Sequence, residues 1–162
     1  WFYERFNAER FRTHGLDLTF VQDNVSYSSK GILRGLHFQQ PWPQGKLVSV
    51  LRGEVFDVAV DIRRGSPWFG QWTGIELSAE NNKHLWIPPG FAHGFLVTGN
   101  DALFCYKCTE YYHPESEHSL AWNDSTIGIS WPTAEVVLSA KDRAAKTLAE
   151  VSVDSLPEYQ TD

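Results

Sequence analysis

This chain of 162 residues contains no methionine, two cysteines, no basic cluster and no long apolar run. Each absence removes a class of function. A membrane helix needs about 18–20 consecutive apolar residues, so no helical span is expected. No signal peptide is visible either. The formal charge of −6, with 14 Lys and Arg against 20 Asp and Glu, excludes a sequence-independent nucleic-acid binder, which needs a basic face. An anion can still be held by individually placed Arg and Lys side chains. Cys105 and Cys108 form one C-x-x-C, with no second pair to complete a zinc site. They fall in a strand-like run, where residues three apart point to opposite faces. They therefore read as unrelated thiols of a reducing cytoplasm. A chain that opens on Trp1 and has no methionine is expected to have lost its original N-terminus.

What is present points to a β-rich fold. Twelve glycines, eight prolines and 14% aromatics fit many short strands joined by tight turns, and the length suits one domain with a real core. Strand-like runs cover 20–27, 32–39, 46–51, 54–62, 71–77, 83–87, 94–97 and 103–109, a spacing typical of a sandwich or barrel. Arg52-Gly53 and Gly99-Asn100-Asp101 read as turns, and Pro88-Pro89-Gly90 as a sharp corner. Helix is expected only near the ends, over 4–13 and 139–148. In the second, Ser139 is a natural N-cap and Asp142 stands where a capping-box acid would. One domain is expected over 1–150, followed by a polar tail over 151–162 that is frayed from Asp154 onward.

The segment from Gly31 to Val48 carries the chemistry. It sets His37 and Lys46 in consecutive, mostly apolar strands, and a titratable group on an apolar face is costly to bury unless paired or used. Imidazole both takes and gives protons near neutral pH. Lys46 shares a face with Val48 and Val50, offering a fixed positive charge where negative charge develops. Tyr106 alternates with Phe104 and Cys108, so its phenol can project into a pocket as a proton donor. Gln22 and Asn24 share a strand face and can read a polar ligand. Arg34 has parity opposite to His37; both reach one ligand only through a bulge, which Gly35 permits. Asp57 lies opposite Phe56, Val58 and Val60, facing either a polar interior or water. Tyr111 and Tyr112, at a strand end, are able to stack on a nucleobase.

Two stretches resemble cupin barrels: Gly31-x5-His37, and Pro89-Gly-Phe-Ala-His93 followed by Asn100. A metal-binding cupin needs a further His two residues after the first and a Glu soon after. Here Gln39 and the Pro43-Gln44 region occupy those places, so no metal is expected. More specifically, the chain resembles the dTDP-4-dehydrorhamnose 3,5-epimerase family from about Glu4 to Leu148. The resemblance is carried by Val21-Gln-Asp-Asn24, Leu33-Arg-Gly-Leu-His-Phe38, Gln44-Gly-Lys-Leu-Val48, the Gly53–Asp61 block, Trp86-Ile-Pro-Pro-Gly-Phe-Ala-His-Gly-Phe95 and Leu138-Ser-Ala-Lys-Asp142.

The resemblance implies an all-β, cupin-type jelly-roll barrel and a cofactor-independent isomerase of a dTDP-sugar. It implies His37 as base, Asp142 as its orienting partner in preference to a capping role, Lys46 at the enolate oxygen and Tyr106 as proton donor. Substrate binding would fall to Glu4, Gln22, Asp23, Asn24, Arg34, Lys46, His93, Tyr112, Glu117 and Lys141. A cytoplasmic homodimer with exchanged N-terminal segments follows, with neither membrane nor nucleic acid as partner. An Asp-x-Arg-Gly segment usual before the Phe-rich start is absent here, and the loop Gln40-Pro-Trp-Pro43 is bulkier than usual. The rival readings are an epimerase acting at one position, a nucleotide-sugar-binding cupin without activity, and a metal-dependent oxygenase.

Overall fold

The computed structural model describes residues 1–160. Helix α1 (Ala8–Thr13) is followed by strands β1 (Gln22–Ser29), β2 (Leu33–Gln39), β3 (Lys46–Asp61), β4 (Trp72–Ser78), β5 (His84–Ile87), β6 (Phe91–Cys108) and β7 (Glu117–Ser119), then helix α2 (Ala140–Arg143). The seven strands form one sheet in the order β4-β3-β6-β2-β7, with β1 also on β6 and β5 also on β3. All these pairings are antiparallel. Two long strands organise the whole. β3 and β6 pair from Lys46↔Cys108 to Asp61↔Phe91. Each hands its free edge to two different partners: β6 to β2 and then β1, β3 to β5 and then β4. The shared ladder thus belongs to two sheet halves, which fold over one another as in a cupin-type jelly roll. Among the described residues no helix is long and apolar enough to cross a membrane.

Strand alternation divides the apolar residues between two clusters. One joins Leu36, Val58, Val60, Ile62 and Leu120. The other gathers Val48, Val50, Val55, Leu77, Phe95 and Phe104, with Tyr106 against it. The second cluster floors the barrel interior where the cavity opens. Outside the barrel, the N-terminal segment docks through a chain of aromatic contacts, Phe6 on Phe11 and Phe20, and Phe20 on Trp86. Cys105 meets Arg5 and Ser49 on one face while Cys108 meets Asn24 on the other. Both thiols are free, as the strand parity predicts.

Four expectations need correction. Arg52-Gly53 and Gly99-Asn100-Asp101 are not reversals: β3 and β6 run through them side by side, with register shifts at Val50/Arg52 and Gly53/Val55. These are bulges, the other use of a glycine in a strand. The N-terminal helix starts at Ala8, where the Asn7 side chain accepts from the Arg10 N–H, leaving Glu4 to Asn7 extended. α2 stops at Arg143, because the chain beyond it pairs Lys146 with Leu120 and buries Leu148. The tail is not frayed over its described part. Leu156 is buried, Arg64 N–H donates to the Pro157 carbonyl at 2.8 Å, and the Arg63 guanidinium lies between the Phe91 and Tyr159 rings. Thr161 and Asp162 fall outside the described residues. β7 was not anticipated; three polar-rich residues carry too short a pattern to read.

Gly53 shows why the bulge needs glycine. Its φ is +75°, and a Cβ there would sit 1.7 Å from the Asp101 carbonyl oxygen. Gly65 has a similar φ of +82° but nothing within 4 Å of its missing Cβ. Gly65→Ala is expected to cost about 1 kcal/mol, the left-handed penalty alone. Gly53→Ala should cost at least ~2 kcal/mol more, since backbone must also move. Urea unfolding of the two variants side by side measures the difference; equal midpoints would refute the steric account.

Candidate active site

β2 carries His37 into the barrel, directly opposite His93 on β6 and Ser119 on β7. The parity problem of Arg34 and His37 is solved by a register shift between them. Gly35 makes it possible: its φ is +112°, and a Cβ would lie 2.5 Å from the His93 carbonyl oxygen. Both side chains therefore line one cavity of about 400 Å³, together with Lys46, His93, Tyr106 and Asp142. A smaller annex of about 80 Å³ shares His37, Lys46 and Tyr106 and continues to Tyr112 and Glu117.

His37 Nε2 lies 2.5 Å from Asp142 Oδ1. The carboxylate is almost wholly buried, whereas the imidazole keeps about a quarter of its surface open to the cavity. Asp142 arrives on α2, whose first turn is set by Ser139. The Ser139 hydroxyl accepts from the Asp142 N–H at 3.1 Å and donates to Asp142 Oδ2 at 2.8 Å. The helix cap and the dyad are therefore one arrangement, not competitors. Burial pushes the Asp142 carboxyl upward, but the contacts with His37, Ser139 and the Gly35 backbone outweigh it and hold it below the ordinary range.

Lys46 opens β3 between Ile87 on β5 and Cys108 on β6. Burial pulls its ammonium below the usual lysine value; the fields of Cys108, Glu117 and Asp57 oppose that and Lys141 adds to it. Its Nζ stands 5.8 Å from the centre of the Tyr106 ring. Tyr106 shares the Phe104 face, as expected from parity, and burial raises its phenol above the ordinary value. His93 is fixed differently. Its Nε2 is 3.0 Å from both oxygens of Asp57, a fully buried carboxylate. Asp57 thus faces the interior, a role that its parity with Ala59 allowed but did not decide.

At the mouth, the expected polar residues converge on Tyr112. Gln22 donates to Asn24 Oδ1 at 3.1 Å and accepts from the Tyr112 N–H at 2.9 Å. The Tyr112 hydroxyl donates to Glu117 at 2.8 Å, and Glu117 pairs with Lys141 at 2.5 Å. Asp23 and Glu4 do not join them. Asp23 has the opposite strand parity to its neighbours and pairs with Lys107 at 2.7 Å outside the barrel. Glu4 pairs with Arg10 of α1 at 3.3 Å. Among the described residues no three His, Cys, Asp or Glu side chains gather as a metal-binding group.

The arrangement suits proton transfer at a carbon next to a carbonyl. It offers a base held by a carboxylate, a half-buried cation and a phenol on one cavity. The Asp142 carboxyl, depressed in the folded state, adds stability above the ordinary Asp value near ~4, and this is lost as pH falls through its lower folded value. Asp142→Asn should therefore be less stable than the parent at pH 7, by about 1 kcal/mol or more, with the gap closing as pH drops toward 3. Thermal unfolding across pH 3–7 checks this; a gap independent of pH would refute it.

Residues 1–150 match the family described as dTDP-4-dehydrorhamnose 3,5-epimerase. The dTDP-4-dehydrorhamnose 3,5-epimerase of Salmonella typhimurium is 57% identical over 91% of this chain and 82% of its own length. That of Methanothermobacter thermautotrophicus is 52% identical over 93% of this chain and 83% of its own. Among solved structures, dTDP-6-deoxy-D-glucose-3,5-epimerase RmlC from Legionella pneumophila, crystallised with dTDP-4-keto-L-rhamnose, superposes with a TM-score of 0.95 at 58% identity. The match covers 99% of this chain and 86% of that one.

Proposed function

The chain belongs to the dTDP-4-dehydrorhamnose 3,5-epimerase family, and from this premise we propose that it inverts C3 and C5 of dTDP-4-keto-6-deoxyglucose, a step toward dTDP-L-rhamnose in the cytoplasm. The observation that carries the reading is the His37–Asp142 pair facing Lys46 and Tyr106 on one cavity. The C4 ketone of such a sugar acidifies the hydrogens on both neighbouring carbons. His37 takes the proton from carbon, and Asp142 holds the resulting imidazolium. The electron pair of the broken C–H bond forms the C=C bond of an enolate, whose oxygen charge develops against the Lys46 ammonium. Tyr106 then gives its phenolic proton to the opposite face of the same carbon, so the centre is inverted; the phenolate is reprotonated from solvent and the His37 imidazolium releases its proton to solvent. Repetition at the second carbon completes the reaction.

The nucleotide half lies toward the mouth. Arg34 and Lys141 meet the diphosphate, Tyr112 stacks on thymine, and Gln22, Asn24 and Glu117 read polar edges. His93, held by Asp57, sits beside the sugar. Glu4 and the N-terminal segment serve the neighbouring subunit of a homodimer, consistent with Glu4 lying away from its own cavity.

Turnover of dTDP-4-keto-6-deoxyglucose in deuterated water, followed by NMR, should place deuterium at both C3 and C5. Label at one position alone would refute double epimerisation. His37→Asn should lower turnover by about 10²–10⁴-fold; survival within a few-fold would remove His37 as base.

The pH dependence separates Lys46 from Tyr106. Lys46 is the group whose charge is lost below the free-lysine value of 10.5, whereas the Tyr106 phenol keeps its proton to higher pH than a free tyrosine. The alkaline fall in kcat should therefore follow Lys46 and persist in the residual activity of Tyr106→Phe. A pH–rate profile to pH 10 tests it; disappearance of the alkaline limb in Tyr106→Phe would assign that limb to the phenol.

A further inference from the structure

Gln39 takes no part in the steps above, yet its carboxamide is buried and fully engaged. It stands two residues beyond His37 at the end of β2 and is 5% exposed. Its Nε2 donates to the carbonyls of Trp42 and Tyr111, and its Oε1 accepts from the His113 N–H at 2.9 Å. Two donors and an acceptor on one neutral planar group are what a carboxamide supplies and a carboxylate does not. Gln44, across the loop, adds another tie by donating to the Glu110 carbonyl at 2.9 Å. Between these ties Trp42 is held at φ +68°, a costly conformation for a bulky residue. Its ring stacks on His113 at 5.8 Å. The peptide units on either side of Tyr112 are thus bound to Gln39, while Tyr112's own N–H goes to Gln22 and its hydroxyl to Glu117.

We propose that Gln39 is a positioning residue for the nucleotide. Its carboxamide fixes the height and tilt of Tyr112 at the cavity mouth, so it governs how the nucleoside diphosphate is held and leaves proton transfer at the sugar alone. A rim ordered before binding loses less freedom when the base stacks. The inference rests on the reading of Tyr112 as the base platform. It also gives a physical use to the position where a metal cupin would carry its second histidine: the side chain there braces backbone.

The experiment is calorimetric titration with dTDP, with steady-state kinetics alongside, on Gln39→Met and Gln39→Glu. Methionine keeps the length and volume but makes none of the three bonds. Glutamate turns a donor into an acceptor facing two carbonyls. The Kd for dTDP and the KM should each rise about tenfold or more, as for other residues that orient a contacting group. The kcat should stay within about twofold, and Gln39→Glu should be at least as impaired as Gln39→Met. If Gln39→Glu does not fold, the isosteric Gln39→Met still gives the reading. A merely structural glutamine would lower Tm and leave KM and Kd unchanged, which would overturn the proposal.

Tyr112→Ala separates the two levels of inference. It should weaken dTDP binding by itself, and Gln39→Met should add little in its background. Fully additive losses would mean that Gln39 acts elsewhere, and the proposal falls. If Tyr112→Ala weakens binding but Gln39→Met does not, the bracing role alone fails. If Tyr112→Ala leaves dTDP affinity unchanged, the base-platform reading fails and takes the bracing role with it.

Discussion

The continuous ladder between β3 and β6 is the constraint on which the rest depends. These strands, 16 and 18 residues long, share one register apart from the shifts around Gly53. Lys46 and Asp57 ride on one; His93 and Tyr106 ride on the other. Backbone hydrogen bonds thus set the distances among four functional side chains before any of them touches another. Because the side-chain period of a strand is two, a slip of either strand by one residue would turn its two side chains to the wrong face. The apolar residues between them, Val48, Val58 and Phe104, make such a slip expensive by exposing buried surface. The geometry of the candidate site and core packing are enforced by the same register.

Placing charges inside that core has consequences for each group. The site holds a half-buried ammonium at Lys46 and two buried carboxylates, Asp142 on the cavity wall and Asp57 behind His93, each committed to a histidine. An unpaired buried charge is costly, and the fold offsets the cost locally. Asp142 has the His37 ring, the Ser139 hydroxyl and a backbone N–H; Asp57 has both oxygens on one imidazole. Burial lowers the affinity of Lys46 for its proton, and the fields of Cys108, Glu117 and Asp57 offset that only in part. A positive charge held on the cavity wall is what the proposed enolate anchor requires.

Much of this was readable from residues alone, and the boundary of legibility is physical. The strand runs, the inward parity of Lys46 and Tyr106, and the bulge demanded by Arg34 and His37 all follow from period-two alternation, which is local. Gly53 and Gly99 misled because a glycine between apolar runs looks alike whether the chain reverses or bulges. The choice is made by the partner strand, distant in sequence. Asp57 was undecidable for the same reason: its parity was visible, but not that His93 would stand within hydrogen-bonding distance. Asp23, carried along with Gln22 and Asn24 by resemblance, was answered by alternation, which sends it outward to Lys107. The tail read as loose because its polar composition hides Leu156 and the Arg63 contact with Tyr159.

At the mouth of the cavity, side chains of the chain itself brace the backbone. In a metal cupin the inner end of this strand would present imidazoles to an ion, which would itself hold the neighbouring segments together. Here the carboxamides of Gln39 and Gln44 join the loop at Trp42 to the segment 110–113 by hydrogen bonds to backbone groups. The Glu117–Lys141 pair, coupled to the Tyr112 hydroxyl, ties the same rim to α2, one residue from Asp142. The two ends of the site meet at α2 but are ordered by different contacts. The His37–Asp142 pair is held by the Ser139 hydroxyl and the Gly35 backbone, whereas Tyr112 is held by Gln22, Glu117 and the segment that Gln39 braces. Binding at the rim and alignment of the histidine–carboxylate pair can therefore be perturbed separately.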